Sequence, residues 1–210
     1  MKTLKKPEDH VLLWESFREG NREAFSRIYE LYASELYRYG YNLVRDKELV
    51  EDCIQELFLS MYVKGRSLGT TDNIRFYLYK AVRNRLLNAI SRKKSILSAN
   101  GYAFETSEFV IQPVEKQLIE QQHHSMRARI IASELNKLPR RQKEILYLVY
   151  LRELSYPEAA EIMGITIKSV YNTVHIALSS LKKCMKDSFY QEGLFYTFIQ
   201  LITYGLWLAE

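Results

Sequence analysis

Cysteine is nearly absent: Cys53 and Cys184 are the only two in 210 residues. Two cysteines so far apart make neither a disulfide framework nor a zinc site, and they suit a reducing compartment. Proline and glycine are also sparse, at four and eight, which excludes collagen-like and low-complexity chains. The opening MKTLKKPEDH holds no apolar run, so no secretory signal is expected and the cytoplasm is the expected location. There is no Gly-rich phosphate loop, no nucleophile elbow and no pair of catalytic carboxylates. His123-His124 lack the further ligands that a metal site needs. No enzymatic activity, cofactor or metal is expected.

What is present is ordinary for a globular protein, with 47% hydrophobic and 26% charged residues. Thirty Lys and Arg stand against 25 Asp and Glu, a formal charge of +5. That suggests a polyanionic partner without requiring one. The apolar stretch from Leu194 to Ala209 is sixteen residues without a charge, short of the about 18 that a membrane span needs. Stable membrane insertion is therefore not expected. A terminal amphipathic helix packed on protein is the favoured reading, with a lid or partner-binding helix as the alternative.

Apolar residues from about His10 to Val44 recur at three- and four-residue steps, which predicts helices, with a turn at Gly20-Asn21. Further helices fit Lys47 to Lys64 and Asn73 to Lys94, separated by a loop at Gly65 to Asp72. Periodicity fades from Ser95 to Val114, which reads as a linker. It returns from Glu115 to Lys137, and Leu138-Pro139 opens another helix with proline in its first turn. No segment shows strand alternation. The expected fold is all-α: two small helical domains joined by a linker, the second a helix-turn-helix domain. Residues 10–94 form the first, 95–114 the linker, 115–187 the second, and 188–210 a hydrophobic extension.

Three constellations stand out. On a helical wheel over 52–62, Ile54, Leu57, Phe58 and Met61 share one face, and Asp52, Gln55, Glu56 and Leu59 share the other. That second face is either a solvated stripe or a docking surface for a basic protein, and pattern alone leaves both open. The second constellation runs from Asn73 to Phe104, 32 residues with no carboxylate and seven basic side chains: Arg75, Lys80, Arg83, Arg85, Arg92, Lys93 and Lys94. Leu78, Val82, Leu86, Ala89 and Ile90 belong to a core face, as does Tyr79. Tyr77, Lys80, Asn84 and Asn88 share the opposite side, with Arg83 close by. Basic groups neutralise phosphates, an aromatic ring stacks an unpaired base, and Asn pairs with a base edge. The combination suits separating strands better than an intact duplex.

The third constellation is LSYPEAAEIMGITIKSVYNTVHIALSSL, from Leu154 to Leu181. Ser155 and Glu158 make a capping box. Ala160, Gly164 and Val170 supply a small residue, a turn glycine and a locking apolar residue at helix-turn-helix spacing. The second helix of such a pair reads the major groove. Its exposed candidates are Thr166, Lys168, Ser169, Tyr171, Asn172 and His175, with Arg140, Arg141, Lys143, Lys182 and Lys183 adding positive charge.

Together these motifs resemble the extracytoplasmic-function (ECF) sigma factors of bacterial RNA polymerase, in the sigma-70 family. GNREAFSRIYELYASELYRYGYNLV, VEDCIQELFLSMY and FYLYKAVRNRLLNAISRKKS resemble region 2. The stretch from LNKLPRRQKEILYLVY to HIALSSLKK resembles region 4. The resemblance implies a non-enzymatic initiation factor. Its partners would be core RNA polymerase, through the clamp of the largest subunit and the flap region, promoter DNA, and an anti-sigma factor. Asp52, Gln55, Glu56 and Leu59 would bind the clamp. Tyr77, Lys80, Arg83, Asn84 and Asn88 would hold the melted −10 element, and the loop from Lys64 to Asn73 would cup a flipped base. The helix from Thr166 would read the −35 element. Two departures are visible. Tyr62 stands where the family often has Trp, and Thr173, Ile176 and Leu178 stand where Arg is common. A stand-alone helix-turn-helix regulator and an adaptor binding through the acidic helix are the competing readings.

Overall fold

The computed structural model describes residues 7–99, 133 and 135–188. Among them there is no strand, and no helix is long and apolar enough to cross a membrane. Most of the expected linker and the hydrophobic extension beyond Ser188 lie outside the described residues. The chain divides into two compact units, Met1–Ser107 and Glu108–Glu210.

In the first unit, α1 (Pro7–Arg18), α2 (Arg22–Val44), α3 (Lys47–Lys64) and α4 (Ile74–Ala99) pack together, with α2 touching the other three. Each boundary has a local cause. The Asn21 side chain accepts hydrogen bonds from the Glu23 and Ala24 amides at 2.9 and 3.2 Å, so the Gly20-Asn21 turn is also the cap of α2. Arg45 adopts a left-handed conformation, φ 56°, and ends that helix. Asp46 then accepts from the Leu49 amide at 3.2 Å and starts α3, whose limits are those its periodicity predicts. Asn73 caps α4 by accepting from the Phe76 amide at 3.1 Å.

The expected end of α4 at Lys94 needs correction. Helix continues through residues 95–99, because no Gly or Pro interrupts the chain before Gly101 and propagation costs little once a long helix exists. The expected linker therefore begins inside a helix.

The core follows the apolar stripes. Ile54, Leu57, Phe58 and Met61 of α3 are buried, as are Leu78, Val82 and Leu86 of α4. Tyr79 is fully buried beside Tyr39, ring centroids 5.0 Å apart. Ala89 and Ile90 are only half-buried. At Gly40 the helices approach so closely that an added Cβ would lie 2.9 Å from Val50 Cγ1 and 3.1 Å from Leu86 Cδ1.

In the second unit, α5 (Arg140–Leu146) runs into a wide π turn (Tyr147–Leu151), followed by α6 (Tyr156–Met163) and α7 (Ile167–Ser188). Pro139 stands one position outside α5 rather than within its first turn. Its carbonyl accepts from the Gln142 and Lys143 amides at 2.9 and 3.1 Å. The capping box is complete: the Glu158 amide donates to Ser155 Oγ at 3.4 Å, and the Ser155 amide donates to the Glu158 carboxylate at 2.8 Å. Gly164 closes α6 in the left-handed region, φ +65°, where a side chain would be strained. Ala160 and Val170 are buried. This is a helix-turn-helix.

Gly40→Leu is expected to destabilise the first unit by about 1–3 kcal/mol through overpacking at the helix crossing. Urea unfolding of the variant against the wild type measures this; an unchanged midpoint would contradict the close approach.

Candidate nucleic-acid and protein interfaces

Burial of the apolar stripe of α3 against α2 and α4 forces its other stripe outward. Asp52, Gln55, Glu56 and Leu59 are all exposed, Leu59 at 64%. The stripe continues to Val63, 75% exposed, with Tyr62 beside it at 48%. Sequence reasoning did not place Val63 here, yet a wheel extended one residue past Tyr62 puts it four residues after Leu59. The surface is a patch with carboxylates at one end and apolar side chains at the other, a pairing that a merely solvated stripe has no need of.

On α4, Asn84 and Asn88 are exposed, while Lys80 and Arg83 are half-buried. Lys80 lies over the Phe76 ring, 5.7 Å from its centroid. Tyr77 shares their face but is half-buried, because its ring packs on Trp14 at 4.9 Å. Burial pushes the Tyr77 hydroxyl above its usual pKa. The carboxylates missing from the 73–104 stretch come from neighbouring elements. Glu35 lies 3.7 Å from Arg75, Glu56 lies 3.8 Å from Arg85, and Asp46 lies 2.9 Å from Lys93. The segregation of charge along the chain is thus partly undone in space. Arg92, Asn84 and Asn88 remain together on the exposed side.

The loop before α4 is ordered by its own backbone. A 3₁₀ turn (Gly65–Ser67) is followed by Leu68, which is buried. Thr71 Oγ1 accepts from the Asn73 amide at 3.2 Å. Two side chains of α1 reach this loop: Trp14 Nε1 donates to the Gly69 carbonyl at 2.9 Å, and Arg18 Nη2 to the Arg66 carbonyl at 3.5 Å. Nothing in the sequence signalled Trp14, since a tryptophan on an apolar helix face reads simply as core.

In the second unit, Thr166 caps α7 by accepting from the Ser169 amide at 3.2 Å. Thr166, Lys168, Tyr171, Asn172 and His175 are exposed and Ser169 is half-buried. Tyr171 stands 59% exposed, with its ring 4.5 Å from that of Tyr156 at the start of α6. Tyr156 in turn bonds the Tyr150 hydroxyl, whose pKa burial and that bond push up to about 12. The π turn thus carries a tyrosine that braces the exposed face of α7. Lys182 and Lys183 are exposed on the same helix. Lys143 is a correction: it is buried and donates to the Asn136 carbonyl at 3.1 Å, so it adds nothing to the outer positive surface. Arg141 is exposed and Arg140 is half-buried.

Comparison with known proteins extends this geometry. The Sigma-70 region 2 family matches residues 28–96, and the Sigma-70, region 4 family matches residues 128–181. The chain is 26% identical over 156 residues to the ECF RNA polymerase sigma factor SigM of Bacillus subtilis (strain 168), covering 74% of this chain and 91% of that protein. It is 26% identical over 174 residues to the ECF RNA polymerase sigma factor SigW of the same strain, covering 81% and 93%. Its fold is similar to that of the sigma factor RpoE solved in complex with the anti-sigma factor NepR from Bartonella quintana. There the TM-score is 0.57 at 22% identity, over 77% of this chain and 96% of that one.

One prediction tests how α4 is anchored. The Lys93 hydrogen bond, with the Leu49 amide, holds the Asp46 carboxyl below its ordinary 3.8. A depressed carboxylate stabilises the fold above its unfolded-state pKa and loses that contribution as pH falls through the folded value. Asp46→Asn keeps a capping side chain and removes the charge. It is expected to cost about 0.5 kcal/mol at pH 7, discounted for a partly exposed pair. In chemical denaturation the difference from wild type should close on acidification; a pH-independent difference would contradict the pairing.

Proposed function

The chain belongs to the ECF sigma factors of the sigma-70 family, and from that premise we propose how its surfaces divide the labour of transcription initiation. It binds core RNA polymerase, recognises the −10 and −35 promoter elements and helps melt promoter DNA. The exposed stripe of α3 is the polymerase-binding face. Asp52, Gln55 and Glu56 meet basic groups of the clamp of the largest subunit, and Leu59 and Val63 fill apolar recesses at its edge. Tyr77, Lys80, Arg83, Asn84 and Asn88 form the face for the melted −10 strand: lysine and arginine for phosphates, asparagine for base edges, tyrosine for stacking. Thr166, Lys168, Ser169, Tyr171, Asn172 and His175 read the −35 element in the major groove, with the second unit held at the flap region.

The observation that carries this division is the coexistence, in one helical unit, of an outward acidic-apolar stripe on α3 and a basic, asparagine-bearing face on α4. A stand-alone helix-turn-helix regulator needs neither. An anti-sigma factor is a further partner, supported by the complex in which the similar RpoE was solved. The protein works in the cytoplasm, where polymerase and promoter are, and performs no catalysis itself.

In vitro transcription with purified core polymerase tests the main reading. Promoter-specific initiation dependent on this protein is expected; tight duplex binding without polymerase, and no stimulation, would favour the regulator instead. Asp52→Arg with Glu56→Arg is expected to weaken affinity for core polymerase by about tenfold or more, measured by titration of labelled protein, and unchanged affinity would remove the assignment. Lys80→Ala with Asn84→Ala should leave that affinity intact and reduce open-complex formation by about tenfold, followed by permanganate reactivity of unpaired thymines. Loss of polymerase binding in this second variant would contradict the separation of faces.

A further inference from the structure

Trp14 links α1 to both the 65–73 loop and α4. It is fully buried, and its indole is shared between two elements of the −10 face. Its N–H donates to the Gly69 carbonyl at 2.9 Å, in the loop between α3 and α4. Its ring packs on Tyr77 at 4.9 Å and on Phe17 at 5.4 Å. One turn later, Arg18 reaches the Arg66 carbonyl of the same loop at 3.5 Å and is held in place by Glu15 at 2.6 Å. Leu68 of this loop is buried while Gly69 and Thr70 are exposed, and α1 adds the hydrogen bonds from Trp14 and Arg18. A buried indole N–H must be paired, and here its partner is a loop carbonyl 55 residues away, so burying the ring also ties down the loop. Holding a loop in its bound shape beforehand removes the ordering cost that a ligand would otherwise meet.

We propose that Trp14 is the positioning residue of the −10 face, fixing the 65–73 loop through its backbone and the Tyr77 ring through contact, so that the receptor for one unpaired base exists before DNA arrives. The proposal rests on the assignment of α4 and its preceding loop to the melted strand. Arg18 is the second tie of the same device. Neither side chain touches DNA. Both act through the loop, so their loss should blur the choice of base at one unpaired position more than it lowers affinity in general.

The test uses the full chain assembled with core polymerase. The probes are fork-junction DNAs whose single-stranded non-template tract is randomised, and bound and free fractions are sequenced. Wild-type holoenzyme is expected to enrich one base at one unpaired position. Trp14→Phe keeps an aromatic ring against Tyr77 and Phe17, deletes the donor and trims the fused ring, so its fold is checked first. It should flatten that preference by about fivefold to tenfold, the worth of one neutral hydrogen bond. Core affinity, and binding to forks with an abasic site at the enriched position, should stay unchanged. If Trp14→Phe loses helical content, Arg18→Gln replaces it, with the same flattening expected to a smaller degree.

An undiminished base preference in a folded Trp14→Phe holoenzyme overturns the positioning role while leaving the −10 assignment standing. A uniform loss across all forks, abasic ones included, overturns it too, because that is the mark of general structural support. If wild-type holoenzyme enriches no unpaired base, the assignment itself falls and the proposal with it.

Discussion

The first unit depends on a continuous run of aromatic packing that begins at Tyr77 on α4 and ends at Tyr62 on α3. Trp14 meets Tyr77 at 4.9 Å and Phe17 at 5.4 Å, Phe17 meets Phe25 at 5.6 Å, and Phe25 meets Tyr62 at 5.2 Å. Every helix of the unit contributes a ring. Each such contact stabilises by about 0.5–1.5 kcal/mol beyond simple burial, but the geometric effect matters more. Close-packed rings have few alternative arrangements, so the spacing between the α3 face and the α4 face is set by bulky, rigid groups. On the proposed assignment of the two faces, polymerase and an unpaired strand are engaged at a fixed separation. Small aliphatic side chains in the same places would leave that separation loosely defined.

Much of the scaffold was legible because local chemistry and tertiary packing agree. The limits of α3, the capping box at Ser155 and Glu158, the turn at Gly164 and the burial of Val170 all follow from short-range rules. The exposed face of α3 was legible, since burying Ile54, Leu57, Phe58 and Met61 leaves Asp52, Gln55, Glu56 and Leu59 nowhere to point but outward. What escaped was whatever depends on a partner distant in sequence. The carboxylates that answer Arg75, Arg85 and Lys93 lie 40, 29 and 47 positions earlier, at Glu35, Glu56 and Asp46. Lys143 is hidden because a carbonyl seven residues back takes its ammonium, which no charge count reveals. Tyr77 is half-covered because Trp14 comes to it from another helix.

The second unit gains its outward geometry differently. α7 begins at a glycine turn and a threonine cap, and its exposed Tyr171 leans on Tyr156 rather than projecting alone. That support passes back to Tyr150 in the π turn. The extra residue of a π turn shifts the side chains after it around the helix axis, and here the Tyr150 hydroxyl meets Tyr156 at the start of α6. On the proposed assignment of this face to DNA, few charged groups are offset by rigid ones, because an aromatic ring held by its neighbours loses little freedom on contact.

Gly40 has a consequence for descent as well as for folding. Its α-carbon lies where three helices cross, with Val50 and Leu86 almost touching the empty position. A lineage can place a methyl group there only if Val50 shifts or is trimmed and the end of Leu86 gives by a few tenths of an ångström. The two neighbours belong to different helices, each with an outward surface of its own. A larger residue at Gly40 is therefore coupled to the side chains at 50 and 86, whereas either neighbour can shrink alone at the cost of a void.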